Sequence, residues 1–204
     1  MQLALLEDRL EREVLSLDAA DRVLYVVSGN IEAQDGRGAT ALGANEAWYG
    51  DGAAMVHARG AAVLWRWELR DGAPRADSGI VKLAHEVDVT RAGSLLRCDR
   101  VDFPAGGVAY RHTHEGPGIR VLLFGRFSVH VDGGATAIAP GETWFERGPD
   151  PVYAEAGADE PAAFVRVMVL PAALLGKSSL RYVTPEDQAR PKSQRYEVFV
   201  DVLM

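Results

Sequence analysis

Two histidines separated by a single residue are the side chains of this sequence best suited to chemistry. His112 and His114 lie in GGVAYRHTHEGPGIRVLLFGRF, residues 106–127, a pattern typical of a strand, a turn and a second strand. Residues i and i+2 of a strand point to the same face, so both imidazoles are expected to enter one space. Converging imidazoles make half of a metal site suited to Fe, Mn, Ni, Cu or Zn. A polar pocket, in which they bond a ligand or each other, is the open alternative.

The same alternation selects the neighbours of the histidines. Tyr110 is predicted on the face of His112 and is a candidate pocket residue, whereas Glu115 is predicted on the opposite face. If Gly118 points inward in the next strand, Arg120 points inward as well. A guanidinium without an acidic partner suits a carboxylate or another anion. The alternative, in which Arg120 lies solvated at the mouth of the interior, is left open.

The elements that must position these residues belong to a long internal repeat. With an offset of 96 positions, GATALGANEAWYGDG at residues 38–52 aligns with GATAIAPGETWFERG at residues 134–148. After a short insertion, AAVLWRWEL from Ala61 aligns with AAFVRVMVL from Ala162. A period of this length indicates two duplicated domains rather than a solenoid of small units.

Each copy contains short runs of β-branched and aromatic residues separated by Gly, Pro, Asn and Asp. This pattern predicts an all-β fold built as a sandwich or a barrel. Helix is expected only at residues 5–14 and 185–190. The polar stretch 67–79, which contains Gly and Pro, is the predicted linker. We therefore expect an N-terminal domain at 1–72 and a C-terminal domain at 80–204, with the histidine pair in the second.

The first copy has too little chain before Gly29 to supply every strand that precedes the matching Gly125 in the second. Because an open sheet edge promotes aggregation, another segment is expected to cover it. The C-terminal run RYEVFVDVLM at 195–204 alternates strongly. We hypothesise that this last strand returns to the N-terminal domain.

The segment around the histidine pair resembles the first motif of the cupin superfamily. Gly106, His112, His114 and Gly125 have the spacing of that motif, while its glutamate position falls on Gly118. The later segment APGETWFERGPDPVYAEA resembles the second motif loosely, with its Pro-Gly turn and aromatic strand but without its histidine. The resemblance implies a bicupin, with two tandem double-stranded β-helix (jelly-roll) barrels, little helix and a degenerate metal motif.

The repeat indicates which residue stands at the missing histidine. His57 of the first copy aligns with Tyr153 of the second. The first copy has no histidine pair at its own first motif, so no metal is expected there. The residues that occupy the aligned positions are Ser16, Asp18 and Arg22.

By this resemblance the second barrel is expected to bind one divalent transition metal and a small anionic molecule. His112 and His114 are the predicted metal ligands. Tyr153 and Arg120 are the predicted catalytic residues, and an oxygenase, isomerase or hydrolase is the implied activity. The candidates for further ligands are Tyr153, Glu146 and Glu155, and the predicted pocket residues are Tyr110, Arg120, Trp144 and Glu146.

Other functions are compatible with the same residues. Trp144 is also expected to pack in the core, because Trp48 recurs at its position in the copy without the histidine pair. A ligand-binding or sensory cupin without a metal is the main alternative to an enzyme, and a purely structural role is the third. A homodimer is implied by the resemblance in each case.

Composition and charge bear on partners and location. The 204 residues carry a net charge of −7 and no Lys/Arg cluster that would bind phosphates, so nucleic acid is not an expected partner. We find neither a targeting segment nor an apolar stretch long enough for a bilayer, so no membrane partner is expected. The single cysteine, Cys98, suits a reducing compartment such as the cytoplasm, and its alternating neighbours predict a buried side chain.

Overall fold

A computed structural model describes residues 1–73 and 79–204, and nearly every element in them is a β-strand. The all-β prediction is confirmed. The strands of the first part are β1 Gln2–Glu11, β2 Val14–Leu17, β3 Asp21–Ser28, β4 Asn30–Asp35, β5 Gly38–Gly43, β6 Ala47–Gly50, β7 Ala54–Ala58, β8 Ala61–Arg70 and β9 Ile80–Glu86. Those of the second part are β10 Ser94–Phe103, β11 Val108–His114, β12 Gly118–Phe124, β13 Phe127–Val131, β14 Gly134–Ile138, β15 Thr143–Glu146, β16 Val152–Ala156, β17 Ala162–Pro171, β18 Leu180–Tyr182 and β19 Arg195–Leu203.

The chain divides into two compact units, and the first comprises Met1–Ala92 together with Met204. Its strands form two antiparallel sheets, ordered β6-β3-β8-β1-β9 and β2-β7-β4-β5. Both sheets contribute apolar side chains to one core, among them Leu24 and Leu64 from the first sheet and Leu15 and Val56 from the second. Burial of this apolar area is the main stabilising contribution to the unit.

The second unit, Gly93–Leu203, has the same two-sheet plan. Its sheets are ordered β15-β12-β17-β10-β19 and β14-β13-β16-β11-β18, and all of their pairings are antiparallel. In β16, Val152, Ala154 and Ala156 are buried in the core, while Tyr153 and Glu155 between them are partly exposed. This period of two is the expected result of one face packing inward, and it decides which side chains can reach the interior.

One tight backbone contact recurs in both units. Gly29 and Gly125 have φ of 85° and 86°, and a Cβ at either position would lie 2.3 Å from a carbonyl oxygen. The oxygen belongs to Ala61 in the first unit and to Pro161 in the second. Only glycine fits such a position without strain, because it combines a left-handed conformation with the close approach of another strand.

This contact corrects the predicted alignment of the two copies by one residue. Ala61 corresponds to Pro161, whereas the sequence alignment had matched Ala61 with Ala162. The corrected register aligns Arg66 in β8 with Arg166 in β17. The shifted alignment had hidden this correspondence between two buried arginines.

The helix predicted at residues 5–14 is wrong. Most of this stretch belongs to β1, which is hydrogen-bonded on both sides, to β8 and to β9. Pairing on both edges outweighs the helical appearance of the local pattern. The C-terminal helix is confirmed as α1, Pro185–Ala189, whose N-cap Thr184 accepts a hydrogen bond from the backbone N–H of Asp187 at 3.1 Å. Within residues 1–73 and 79–204, no helix has the length and apolar composition to cross a membrane.

The predicted linker and the predicted return of the last strand also need correction. The stretch 67–79 begins inside β8, and its residues 74–78 lie outside the described part of the chain. Beyond it, β9 pairs with β1 in the first unit, so the units divide after Ala92 rather than at 72–80. The last strand, β19, pairs with β10 in the second unit, and the hypothesised return to the first is wrong. The premise of that hypothesis is also wrong, because three strands, β1 to β3, precede Gly29, just as β10 to β12 precede Gly125.

Gly125 provides a test of the recurrent contact. We predict that Gly125→Ala destabilises the second unit by about 2 to 5 kcal/mol, because left-handed strain and overpacking add. Gly133→Ala is the matched control: its φ is 80°, but no atom lies within 4 Å of the new Cβ, so a loss of about 1 to 2 kcal/mol is expected. Urea denaturation with pulsed hydrogen exchange of β17 measures the loss of stability in both variants. Equal losses in the two variants would show that the contact with Pro161 is unimportant.

Candidate functional site

The histidine pair lies in the interior of the second unit. His112 and His114 belong to β11 and are 5% and 2% exposed. Their ring centroids are 4.9 Å apart, with an interplanar angle of 86°. The structure therefore brings both imidazoles into one space, where the spacing of the residues had predicted them.

Hydrogen bonds fix the state of both rings. The Nδ1–H of His112 donates to the carbonyl oxygen of Tyr110 at 2.7 Å, so Nε2 is the nitrogen without a proton in the neutral form of the ring. Nδ1 of His114 lies 3.3 Å from the hydroxyl of Ser179, and its Nε2 accepts a hydrogen bond from Nη1 of Arg166 at 3.2 Å. The nitrogen of His114 that would coordinate a metal is already occupied by a guanidinium.

Arg166 is held in turn by a carboxylate. Its Nε and Nη2 donate to the two oxygens of Asp99 at 2.7 and 3.2 Å, a bidentate arrangement. The two residues are direct cross-strand partners on β17 and β10, and both are buried. Sequence reasoning missed both residues, although a lone arginine inside the apolar run AAFVRVMVL was the available signal.

A second buried ion pair lies beside the first. Nη2 of Arg120 is 2.7 Å from Oε2 of Glu146, and Nη1 of Arg120 donates to the carbonyl oxygen of Gly118 at 2.6 Å. The other oxygen of Glu146 accepts a hydrogen bond from Nε1 of Trp144 at 2.8 Å. Oε2 of Glu146 is also 3.9 Å from Nε2 of His114. The structure thus brings four predicted site residues, Arg120, Glu146, Trp144 and His114, together.

Burial and the neighbouring cations keep the histidines neutral. Desolvation is the largest cause that lowers the pKa of His112. The pKa of His114 lies well below its ordinary value because of desolvation and then the charges of Arg166 and Arg120. Burial also lowers the pKa of Arg120 to about 10, which leaves its guanidinium protonated at neutral pH. Two arginines and two carboxylates therefore balance one another around two neutral imidazoles.

The interior leaves little room beside these groups. The cavity that His112 and His114 line has a free volume of about 20 Å³, which is enough for about one water molecule. Aromatic rings fill the rest of the space. The ring of Trp144 packs 5.2 Å from that of Phe164 and 5.9 Å from that of Phe127. Trp144 is a core residue, and the substrate-sized hollow expected around the histidines is absent from this described interior.

Tyr153 does not reach the histidines. It lies on the face of β16 opposite to Val152 and Ala154, both of which are in the core. Its hydroxyl donates to Glu155 at 3.1 Å, and its ring packs 5.2 Å from that of His130. The predicted positions of Tyr153 and Glu155 beside the metal are therefore wrong, because both side chains alternate with the inward residues of β16.

Tyr110 is also directed away from the site. The pairing of β11 with β16 changes register between Ala109 and His112, so a bulge lies between two inward residues. Tyr110 is displaced to the outer face, where the guanidinium of Arg190 lies 4.9 Å from its ring centroid. The prediction that it shares the face of His112 assumed an unbroken alternation and is wrong.

The residues present do not fit a metal ion. In residues 1–73 and 79–204, no group of three or more His, Cys, Asp or Glu side chains is arranged to hold one. Arg166 occupies Nε2 of His114, and Arg120 is paired with the nearest carboxylate. Nearby guanidinium charges also oppose the entry of a cation.

The first unit has a related ion pair without histidines. Arg66 donates to both oxygens of Asp8, at 2.7 and 3.0 Å, and a further bond of 2.7 Å joins it to Glu68. The carboxylate of Glu68 also accepts from the buried Arg22 at 3.4 Å. Both units thus contain a buried arginine held by a bidentate aspartate.

Comparisons with solved structures identify the fold, but comparisons of sequence assign no family. No family model matches the chain, and no curated protein matches it. Among solved structures, a Cupin 2 conserved barrel domain protein from Leptotrichia buccalis is 16% identical, with a TM-score of 0.52 over 82% of this chain and 88% of that one. At this identity the likeness establishes the fold alone, and the chain has a cupin-type β-barrel fold.

Two oxalate decarboxylases are similar over more of the chain. The enzyme from Bacillus subtilis, described with Mn(II) centres, is 13% identical, with a TM-score of 0.65 over 89% of this chain and 71% of that one. The enzyme from Lactobacillus farciminis, described as a formate complex, is 14% identical, with a TM-score of 0.66 over 93% of this chain and 82% of that one. Manganese and formate are properties of those proteins.

The depressed histidine pKa values predict an acid-sensitive second unit. The unfolded chain takes up protons below about pH 6.5 while the folded histidines stay neutral. Stability is therefore fully present above about pH 6.5 and falls as the pH drops toward the lowered folded pKa, by at most about 1.4 kcal/mol per pH unit for each histidine. Urea unfolding of β17 between pH 7.5 and 5.5 measures the slope. His114→Gln should reduce this slope by about half, and an unchanged slope in that variant would contradict the assignment.

The Asp99–Arg166 pair predicts that a single variant loses much more free energy of unfolding than the double variant does. Asp99→Asn should cost about 3 to 5 kcal/mol, because it leaves a buried guanidinium without its charge partner. The double variant Asp99→Leu with Arg166→Met should recover most of that loss, since both charges are removed together. The control is Asp102→Asn, which breaks a more exposed pair with Arg100 and should cost less than about 1 kcal/mol. Urea denaturation compares all three, and a loss at Asp99 as small as at Asp102 would contradict the assigned role.

Proposed function

We propose that the chain is a bicupin protein that binds a small organic molecule without a metal ion. The observation that carries the proposal is the 3.2 Å hydrogen bond from Arg166 to Nε2 of His114, at the atom that a metal would need. The bicupin assignment is supported by the common two-sheet plan of both units and by the recurrent glycine contact. The ligand is proposed to be small and anionic.

The interior of the second unit has a structural role in this proposal. Its charges are already balanced, with Arg166 hydrogen-bonded to Asp99 and Arg120 in an ion pair with Glu146. Its free volume is too small for an organic molecule. A bound ligand must therefore lie outside the histidine cavity, and the buried network supports the walls of the barrel.

A metal-dependent enzyme is the second candidate. It is favoured by the convergence of His112 and His114 as neutral imidazoles, the form that binds Fe, Mn, Ni, Cu or Zn. For a metal to bind, Arg166 would have to leave His114 and further ligands would have to move inward. Tyr153 is not proposed again as a catalytic residue. The homodimer and the cytoplasmic location stay predictions.

Elemental analysis and one NMR titration distinguish the two candidates. Protein purified without an affinity tag should contain transition metal well below one atom per chain, because Arg166 blocks His114. Mn²⁺ added to protein with ¹⁵N-labelled histidine should leave the signals of His112 and His114 sharp. The partly exposed His130 serves as the internal control for adventitious binding. A near-stoichiometric metal, or broadening confined to His112 and His114, would favour the enzyme and overturn the proposal.

A further inference from the structure

A cleft opens between the outermost strands of the two sheets of the second unit. On the side of the cleft, β18 is the edge strand of one sheet and β19 is the edge strand of the other. The cleft has a volume of about 540 Å³, within the range of pockets that bind small organic molecules. We propose that it binds a flat aromatic monoanion, with the ring between Tyr182 and Tyr196 and the negative charge toward Lys177. This inference rests on the proposed function and specifies where, and what, the protein binds.

The walls of the cleft suit a flat apolar body. Tyr182 projects from β18 and Tyr196 from β19, and Leu180 and Val198 lie beside them. Tyr196 is 48% exposed and Val198 is 55% exposed, a large apolar area at a sheet edge. An aromatic ring packed there would gain face or edge contacts in addition to the burial of apolar surface.

The charges of the lining favour an anion. Three cations and two carboxylates line the cleft, which leaves one positive charge in excess on a chain whose net charge is −7. Two of the cations are fixed in ion pairs: Arg166 with Asp99, and Arg97 with Asp201 at 2.9 Å. The third, Lys177, is an exposed residue whose ammonium donates to the carbonyl oxygen of Ala173 at 3.0 Å. Of the three lining cations, Lys177 is therefore the one best placed to turn toward a ligand carboxylate. The ammonium of Lys192, 3.9 Å from the centroid of the Tyr182 ring, adds a further positive charge beside the cleft.

The floor of the cleft connects it with the histidine cavity. Arg166 and Tyr196 line both spaces, and the guanidinium carbon of Arg166 lies 5.8 Å from the centroid of the Tyr196 ring. Ser179 lines the cleft and contacts Nδ1 of His114 at 3.3 Å. A ring bound against Tyr196 would therefore change the surroundings of His114, so the NMR signal of the His114 imidazole should report binding.

The test uses benzoate as the probe and the full chain as the receptor. Isothermal titration should give a Kd of about 1 mM for benzoate, which is the scale expected of so small a ligand. Benzamide, which lacks the charge, and acetate, which lacks the ring, should each bind about tenfold more weakly. In ¹⁵N-histidine spectra, benzoate should shift the signal of His114 and leave that of the distant His130 in place.

Two variants locate the binding site. Tyr196→Leu and Lys177→Gln should each weaken benzoate about tenfold. Both residues are exposed, so folding should be retained, and circular dichroism checks it. The matched controls are Tyr153→Leu, on the outer face of β16, and Lys82→Gln, in the first unit, and neither should change the affinity.

Three outcomes would overturn the inference: benzylamine binding more tightly than benzoate, benzoate affinity unchanged in both cleft variants, or no binding of benzoate at all. None of these outcomes tests the absence of a metal, which elemental analysis decides separately. Metal-free protein that binds benzoate elsewhere would refute the cleft as the binding site and leave the proposed function standing. Metal-loaded protein would refute the proposed function whatever the titration shows.

Discussion

The interior of the second unit depends on the buried pair formed by Asp99 and Arg166. A guanidinium removed from water is strongly destabilising unless its charge and its N–H groups are satisfied. Asp99 accepts two hydrogen bonds from Arg166, and His114 accepts a third. This need fixes the tautomer of His114, because a nitrogen that accepts from arginine cannot carry a proton. The neutral state of the histidine pair follows first from its burial, and the charge of Arg166 adds to that effect at His114.

The same interaction engages the His-x-His sequence of this cupin-type fold in a hydrogen bond from a guanidinium. Neutral imidazole can bind either a metal ion or a hydrogen-bond donor, and the nearest group decides between them. Here that group is Arg166, which donates a hydrogen bond to Nε2 of His114 at 3.2 Å. Glu146 is engaged in the same way, since Arg120 holds the oxygen that lies nearest to His114.

Much of the fold and part of the site follow from the sequence. The strand period of two predicted His112, His114 and Arg120 on the inward face, because the side chains of residues i and i+2 point the same way. Tyr110 could not be predicted in this way, since a bulge that reverses the alternation leaves no local signal in the residues themselves. Arg166 was missed for another reason: the repeat was aligned one residue out of register at Ala61.

The comparison of the two units shows which feature of the interior is independent of the histidines. Arg66 and Arg166 occupy matching positions in β8 and β17, and each is held by a bidentate aspartate. The residue two positions later differs: it is Glu68 in the first unit, where it accepts a further bond from Arg66, and Met168 in the second. In the second unit His114 supplies that third acceptor instead. The histidine is therefore an alternative solution to the same requirement, a partner for a buried arginine, and its presence alone does not imply a metal.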